Sequence, residues 1–324
     1  MLNDFSAYLF VYFTGNNPEE ERLFYGVSRN GYDFNSLNNG YPVHTSSLGT
    51  GCIRDPYVFK GEDDFYYILA TDMKSSLGWN SNHAIIIFKT KDFVSMIDTV
   101  RIDYRTFKTT SDCNRAWAPQ AIWNPEKKAY MVYLTIQKQD DSLGTVMWRH
   151  YAKDLMDADT YTEPELMMKA PAGTDGAIDG DIIYDHINGR YIMYYNGKRI
   201  AVSSSLSGDF NCIDPNTGLE YETIPMYTAD GVEMDVEGSN IYKIIGKERW
   251  IIAADGTPFN GGRYALAETS DFIHYRQLSE KEYSFDFTPR HGYVIPITES
   301  QLRRLSDAYK GPGQEREVNW KQEM

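Results

Sequence analysis

The stretch Asp55-Pro56-Tyr57-Val58-Phe59 is the first of five similar phrases that decide the fold. Each phrase places one residue, polar in four of the five, before Pro or Gly, and an apolar run of strand length follows. The phrases lie 63, 61, 58 and 54 residues apart, which suits a repeating unit of four strands and their loops. The other four are Ala118-Pro119-Gln120-Ala121-Ile122, Asp179-Gly180-Asp181-Ile182-Ile183, Glu237-Gly238-Ser239-Asn240-Ile241 and His291-Gly292-Tyr293-Val294-Ile295.

An aromatic-rich run follows every phrase except the last, and 14% of the chain is aromatic. Aromatic and β-branched residues favour pleated sheet over helix, so the sequence predicts an all-β fold. The four runs are Phe65-Tyr66-Tyr67, Tyr130-Met131-Val132-Tyr133, Tyr191-Ile192-Met193-Tyr194 and Trp250-Ile251-Ile252.

The two chain ends carry complementary fragments of the repeat. Residues 7–13 match the second strand of a unit and have no first strand before them, whereas His291 to Thr298 form a first strand with no successors. We therefore expect the C-terminal strand to complete the N-terminal unit and close a five-bladed β-propeller. A β-sandwich or a pair of sandwiches is the alternative, but it leaves these fragments unexplained.

We expect residues 1–324 to form one propeller domain with a short C-terminal helix and tail over about 299–324. Thr298 and Gln301 have the spacing of a capping box, which predicts a helix from about Glu299 to Tyr309.

Charge and cysteine content narrow the function classes. The chain has 46 acidic and 32 basic residues among 324, and its net charge of −14 repels phosphate backbones and anionic lipids. We therefore expect no nucleic-acid partner and no membrane partner. Cys52, Cys113 and Cys212 are odd in number and lack CxxC spacing, which argues against a disulfide framework or a zinc site. A reducing, cytoplasmic location is predicted, although a trimmed secreted or periplasmic form would look the same.

The repeat brings acidic residues together. Inner strands of a propeller line its channel, so equivalent positions form a ring, here Asp55, Ala118, Asp179, Glu237 and His291. Crowded carboxyl groups raise one another's pKa, and proteins keep such clusters mainly at sites that use them. One ionised and one protonated carboxyl are the machinery of glycosidic hydrolysis, and the distance between them decides whether the configuration is inverted or retained.

Two tryptophans and an arginine are the predicted substrate-binding residues. Trp117 precedes its ring position and offers a sugar an apolar platform, and Trp79 in a Gly-Trp-Asn loop is a second candidate for the rim. Arg290, beside His291, is expected either to bind sugar hydroxyls or to orient a carboxylate.

The phrases resemble glycoside hydrolase family 43 over almost the whole chain. The residues that carry the resemblance are Arg54-Asp55-Pro56, Trp117-Ala118-Pro119, Ile178-Asp179-Gly180, Val236-Glu237-Gly238 and Arg290-His291-Gly292. The resemblance implies an inverting hydrolase with Asp55 as general base, Asp179 as pKa modulator and orienter, and Glu237 as general acid. It also implies that His291 helps to hold a metal ion, commonly calcium, near the channel axis. Gln120 departs from the family, because many members have an acid there.

The resemblance further implies activity on pentose-containing oligosaccharides. We expect an exo-acting α-L-arabinofuranosidase with some β-D-xylosidase activity, and arabinanase and galactosidase activities are the less common alternatives. A related retaining family of fructan-active enzymes fits less well, because its acid lies in Glu-Cys and this chain has Glu237-Gly238. A sugar-binding propeller without activity and a protein-interaction scaffold are the non-enzymatic alternatives.

Overall fold

Five sheets form a five-bladed β-propeller, as the repeat predicts. The computed structural model describes residues 4–139, 143–168, 176–256 and 263–309. The C-terminal part of the predicted tail, from residue 310 onward, lies outside the described residues.

The strands follow the repeat. In chain order they are β1 (Phe5–Tyr12), β2 (Phe24–Ser28), β3 (Asp33–Ser36), β4 (Arg54–Lys60), β5 (Tyr66–Thr71), β6 (Ala84–Thr90), β7 (Met96–Asp103), β8 (Cys113–Asn124), β9 (Ala129–Lys138), β10 (Val146–Ala152), β11 (Glu165–Met168), β12 (Asp181–Asp185), β13 (Arg190–Tyr195), β14 (Arg199–Ser203), β15 (Glu237–Lys243), β16 (Trp250–Asp255), β17 (Tyr264–Thr269), β18 (Arg276–Gln277), β19 (Ser284–Phe285) and β20 (Gly292–Thr298). One α-helix, α1 (Glu299–Ala308), follows β20. Single-turn 3₁₀ segments lie at Asn38–Gly40, Ser75–Leu77, Tyr104–Thr106, Lys108–Thr110 and Ala158–Thr160.

Each sheet is one blade. Blade I is β4 to β7, blade II is β8 to β11, blade III is β12 to β14 and blade IV is β15 to β18, with the inner strand first in each. Within the described residues blade III has three strands, because only an isolated bridge between Val202 and Asn211 stands where a fourth strand would pair.

Blade V joins the two ends of the chain. Its order is β20, β1, β2, β3 and β19, and β20 pairs antiparallel with β1 from Tyr12 opposite Gly292 to Phe5 opposite Thr298. The predicted closure is therefore confirmed. The short β19 adds to β3 in parallel, so blade IV's last connection also reaches the edge of blade V.

Helix α1 begins as predicted. The Thr298 hydroxyl accepts from Gln301 N and the Gln301 side chain accepts from Thr298 N, which satisfies two donors at the helix start. Leu302 and Leu305 are buried in the core beside β1. The helix thereby packs against the two inner strands of blade V, β20 and β1.

Aromatic side chains fill the space between blades IV and V. Phe10 contacts the rings of Phe34, Tyr264, Phe285 and Phe287 at centroid distances of 5.7 to 6.1 Å, which is the range of favourable edge and tilted contacts. Many aromatic side chains therefore pack the sheets of neighbouring blades face to face. No helix in the described ranges is long and apolar enough to cross a membrane.

The closing strand pair predicts the effect of one substitution. A Cβ atom on Gly292 would lie 2.1 Å from Val11 O and 2.8 Å from Tyr12 Cα, so Gly292→Ala must push β20 away from β1. We expect a loss of about 1–3 kcal/mol in the free energy of unfolding, measured by urea denaturation. The exposed Ser300→Ala serves as control and should change stability by less than about 0.5 kcal/mol. Equal stability of the two variants would contradict closure through this pair.

Candidate active site

The inner strands of blades I, II and IV each have a β-bulge where they reach the channel. Arg54 and Glu237 pair with the last residues of β5 and β16, and Trp117 pairs with Thr135 within β9. In each of these blades one extra residue then follows on the inner strand. The residue after each pair has positive φ, at 48° in Asp55, 47° in Ala118 and 64° in Gly238. Such a bulge turns the strand and re-aims the side chains beside it.

Blades III and V enter in the same register. Asn196 N donates to Ile178 O, and Arg290 N donates to Phe13 O, which places Ile178 and Arg290 at the position of Arg54. Asp179 follows with a φ of 56°.

The predicted ring must therefore be corrected by one residue in blade IV. Glu237 is equivalent to Arg54, Trp117 and Ile178, and Gly238 is equivalent to Asp55. The error arose because Asp179-Gly180 and Glu237-Gly238 look alike in sequence, although the acidic residue has the positive φ in the first pair and the glycine has it in the second. The three acidic residues still converge, since Asp55, Asp179 and Glu237 line one cavity.

Glu237 is held by an arginine from the neighbouring blade. Arg290 Nη2 lies 2.7 Å from Glu237 Oε1, and Arg290 Nε lies 2.6 Å from Asp255 Oδ2. Asp255 also accepts from His291 N at 3.0 Å and is fully buried. Arg290 thus orients the Glu237 carboxyl group, which is one of its two predicted roles, and its contact with sugar hydroxyls stays a prediction.

Asp179 and His291 lie beneath Asp55. Asp179 Oδ2 accepts from Gly238 N at 3.0 Å, and the His291 ring nitrogen Nδ1 lies 3.8 Å from Asp55 and 3.9 Å from Asp179. A Cβ on Gly238 would come within 2.8 Å of the His291 ring, so only glycine allows this approach. The side chains of Asp179, Asp55 and Glu237 are 9%, 14% and 26% exposed, so Glu237 lies nearest to solvent.

Burial dominates the electrostatics of the cluster. Burial, followed by the charges of Asp179 and Asp255, raises the pKa of Glu237, and Arg290 opposes this only in part. Burial and then the charge of Asp55 raise the pKa of Asp179. Burial also lowers the pKa of His291, which favours a neutral imidazole. Since four carboxyl groups share one guanidinium here, at least one of them is expected to carry a proton near neutral pH.

The two predicted tryptophans form one wall of the cavity. Trp79 and Trp117 line it together with Met73 and Ile178, and their rings meet edge to face at 6.3 Å. Trp117 Nε1 donates to the buried Asn82 Oδ1 at 2.6 Å, which fixes the indole. The cavity encloses ≈ 60 Å³, so it admits only a small group.

Arg54 begins β4, the inner strand of blade I, and binds side chains of the surrounding loops. Its guanidinium contacts Glu21 at 3.0 Å, Ser75 at 3.0 Å and Asn16 at 2.8 Å, and it packs over the rings of Phe13 and Trp79. Since Arg54 directly precedes Asp55, this buried network positions the carboxylate.

A second layer of polar side chains lies deeper in the channel. Gln120, Asp181, Asn240 and Tyr293 occupy the position three residues after the paired residue, and Gln120 accepts from Tyr133 OH at 2.7 Å. Asp181 Oδ2 accepts from Ile241 N at 2.6 Å, while burial raises the pKa of Asp181 to about 8.

The residues described around the channel do not fit a protein-made metal cage. In the ranges that the structure describes, no three His, Cys, Asp or Glu side chains are arranged to hold a metal ion, and His291 faces two carboxylates at nearly 4 Å. The calcium ion implied by the resemblance stays a prediction.

The sequence did not indicate Asp255, Asn82 or the residues that bind Arg54, such as Glu21. Asp255 could have been found by aligning the ends of the second strands, where it stands opposite Glu237 as Thr71 stands opposite Arg54. Asn82 and Glu21 come from loops without repeat character, so no pattern indicated them.

Part of the chain is similar to a known enzyme. α-L-Arabinofuranosidase from Bifidobacterium longum subsp. longum is 30% identical over 128 residues, which cover 35% of this chain and 12% of that protein. The chain therefore matches only a small part of that relative's length.

Solved structures share the fold at low identity. The catalytic domain of a family 62 α-L-arabinofuranosidase from Coprinopsis cinerea is 14% identical, with a TM-score of 0.50 over 72% of this chain and 73% of that one. A family 43 enzyme from Xanthomonas citri in complex with xylotriose is 13% identical, with a TM-score of 0.51 over 72% of this chain and 75% of that one.

A family model related to glycoside hydrolase family 43, described as "Probable glycosyl hydrolase domain", matches residues 3–303. Because this match spans most of the sequence, the chain belongs to that glycoside hydrolase 43-related family.

Proposed function

We propose that the protein is an inverting, exo-acting α-L-arabinofuranosidase that also accepts β-D-xylosides. The observation that carries the proposal is the convergence of Asp55, Asp179 and Glu237 on one small cavity with a tryptophan wall. A raised pKa at Glu237 supplies the acid that glycoside hydrolysis needs at neutral pH.

Asp55 and Glu237 divide the chemistry between them. Asp55 takes a proton from water as the water oxygen bonds to the anomeric carbon. Glu237 gives its proton to the glycosidic oxygen as the bond between that oxygen and the anomeric carbon breaks. Solvent then returns the proton to Glu237 and removes the one on Asp55.

Arg290 and Asp179 prepare the acid. Because Arg290 binds Glu237 Oε1, the transferable proton is placed on Oε2, which is free to face the substrate. Asp179 holds the next residue through Gly238 N, and its charge raises the pKa of Glu237. Asp255 accepts from Arg290 and so reduces the effect of that cation on the acid.

The size of the cavity supports exo action on a single sugar ring. A volume of ≈ 60 Å³ is well below the usual range for ligand pockets, so the cavity can take part of one terminal ring and not a polymer threaded through the site. Trp117 and Trp79 offer apolar faces to that ring. Arabinose as the preferred sugar is supported by the aligned Bifidobacterium arabinofuranosidase.

Calcium remains a separate proposal for the surroundings of His291. Calcium prefers oxygen ligands, and a lone imidazole would contact the ion weakly or through water. Assay after exhaustive chelation tests it: a loss of activity that calcium restores and magnesium does not would support the ion, and unchanged activity would remove it.

The primary experiment is hydrolysis of p-nitrophenyl α-L-arabinofuranoside followed by NMR. We expect release of the β-anomer first, because water attacks the face opposite the leaving group. Initial release of the α-anomer would contradict inversion. Tight binding of pentose oligosaccharides without sugar release would instead favour a sugar-binding propeller.

Substitution of either catalytic group should stop turnover and leave the fold intact. We expect Glu237→Gln and Asp55→Asn each to lower kcat for arabinobiose by about 10²- to 10⁴-fold, because each loses one proton transfer and a sugar hydroxyl, unlike p-nitrophenolate, leaves poorly without a proton. The thermal midpoint should change little. Glu62→Gln, at an exposed position, is the matched control and should keep full activity. Substantial activity in either variant would remove that residue from the mechanism.

The pH profile tests the role of Asp179. Activity should fall as pH rises through the raised pKa of Glu237, well above the usual value of about 4.3 for glutamate. Since the charge of Asp179 raises that pKa, Asp179→Asn should move the basic limb of kcat/KM to lower pH by about one unit. An unmoved basic limb with reduced kcat would leave Asp179 a purely structural role.

A further inference from the structure

The cavity lined by Asp55, Asp179 and Glu237 can hold only one end of a substrate. At ≈ 60 Å³ it has no room for the saccharide on the other side of the cleaved bond. The general acid contacts the leaving oxygen, so the leaving group must extend past Glu237, away from Asp55. Glu237 begins the inner strand of blade IV, and the leaving group therefore passes over that blade.

A row of paired residues leads outward across blade IV from Glu237. Glu237 pairs with Asp255, and Asp255 pairs with Tyr264 on the third strand. Neighbouring strands are about 4.8 Å apart, so Tyr264 lies about 10 Å from Glu237 at the same end of the blade. A short oligosaccharide spans such a distance.

A large groove lies at the end of this row. It encloses ≈ 1020 Å³, and we call it the blade IV groove; its lining includes Tyr227, Met234, Tyr264, Gln277, Leu278 and Lys281. This volume is at the upper end of the range for ligand sites.

The groove combines an apolar floor with polar edges. Met234, Tyr264 and Leu278 are buried at its base, whereas the side chain of Tyr227 is 45% exposed at its edge. Sugar rings have apolar faces and hydroxyl-bearing edges, so this composition suits a saccharide.

Its walls are held in place by hydrogen bonds. Gln277 binds both the N–H and the carbonyl of Tyr227, at 2.8 and 2.6 Å, and Tyr283 OH donates to Tyr264 O at 2.8 Å. An ion pair joins Arg263 to Glu280 at the rim. The groove is therefore preformed, which lowers the entropic cost of binding.

We propose that the blade IV groove binds the leaving-group chain of the substrate, a neutral oligosaccharide of several units. The inference rests on the proposed function, because it takes its direction from Glu237 as the acid. It adds a preference for long leaving groups, with Tyr227 as the exposed aromatic platform.

The test compares arabinobiose with arabinopentaose as substrates. For the unmodified protein we expect kcat/KM to be about tenfold higher for the longer substrate, mainly through KM, since stacking one aromatic ring changes affinity by about that factor. Tyr227→Ala should remove most of this ratio. Ala229→Trp, which places a bulky ring in the exposed lining, should remove it independently.

Tyr41→Ala is the matched control, because Tyr41 is 69% exposed and lies outside the groove. It should keep the ratio of the unmodified protein. If both substrates are cleaved and the ratio is the same in all four proteins, the groove has no role in substrate binding. If neither substrate nor the aryl pentoside is cleaved, the proposed function fails and the groove's role fails with it.

Discussion

The left-handed backbone at the start of the inner strands is the constraint on which the site depends. Asp55, Ala118 and Asp179 have positive φ although none is glycine, a conformation that costs roughly 1–2 kcal/mol for each residue. Sheet pairing on both sides of the bulge holds these residues there. The strain turns successive side chains towards the channel mouth, so the same local distortion, repeated around the axis, gathers residues that are far apart in sequence.

The charges around Glu237 then determine whether this side chain can hold a proton. Arg290 binds two carboxylates, so its positive charge acts on both Glu237 and the buried Asp255. A guanidinium paired with Glu237 alone would hold that side chain ionised. With Asp255 and Asp179 nearby, the pKa of Glu237 stays raised despite the ion pair, and Arg290 fixes the orientation of the Glu237 side chain.

Much of the architecture could be predicted because it rests on local patterns. Strand-length aromatic runs, the capping box at Thr298 and the orphan strand at His291 to Thr298 each have a signature within a few residues. The register of Glu237 could not be predicted, because the sequence does not show whether the acidic residue or the glycine of an Asp-Gly or Glu-Gly pair takes the positive φ. The bond between Arg290 and Asp255 was equally hidden, since it joins blades IV and V only after the chain ends have closed. Blade III has three strands within the described residues, because a fourth depends on pairing partners that the repeat does not specify.

The corrected register also gives the two catalytic candidates different depths. Asp55 occupies the bulge position itself, whereas Glu237 occupies the position before it, one residue closer to the mouth, and its side chain is the more exposed of the two. In the proposed inverting mechanism the two proton transfers occur on opposite faces of the sugar ring, and this offset gives the two carboxyl groups different depths for them.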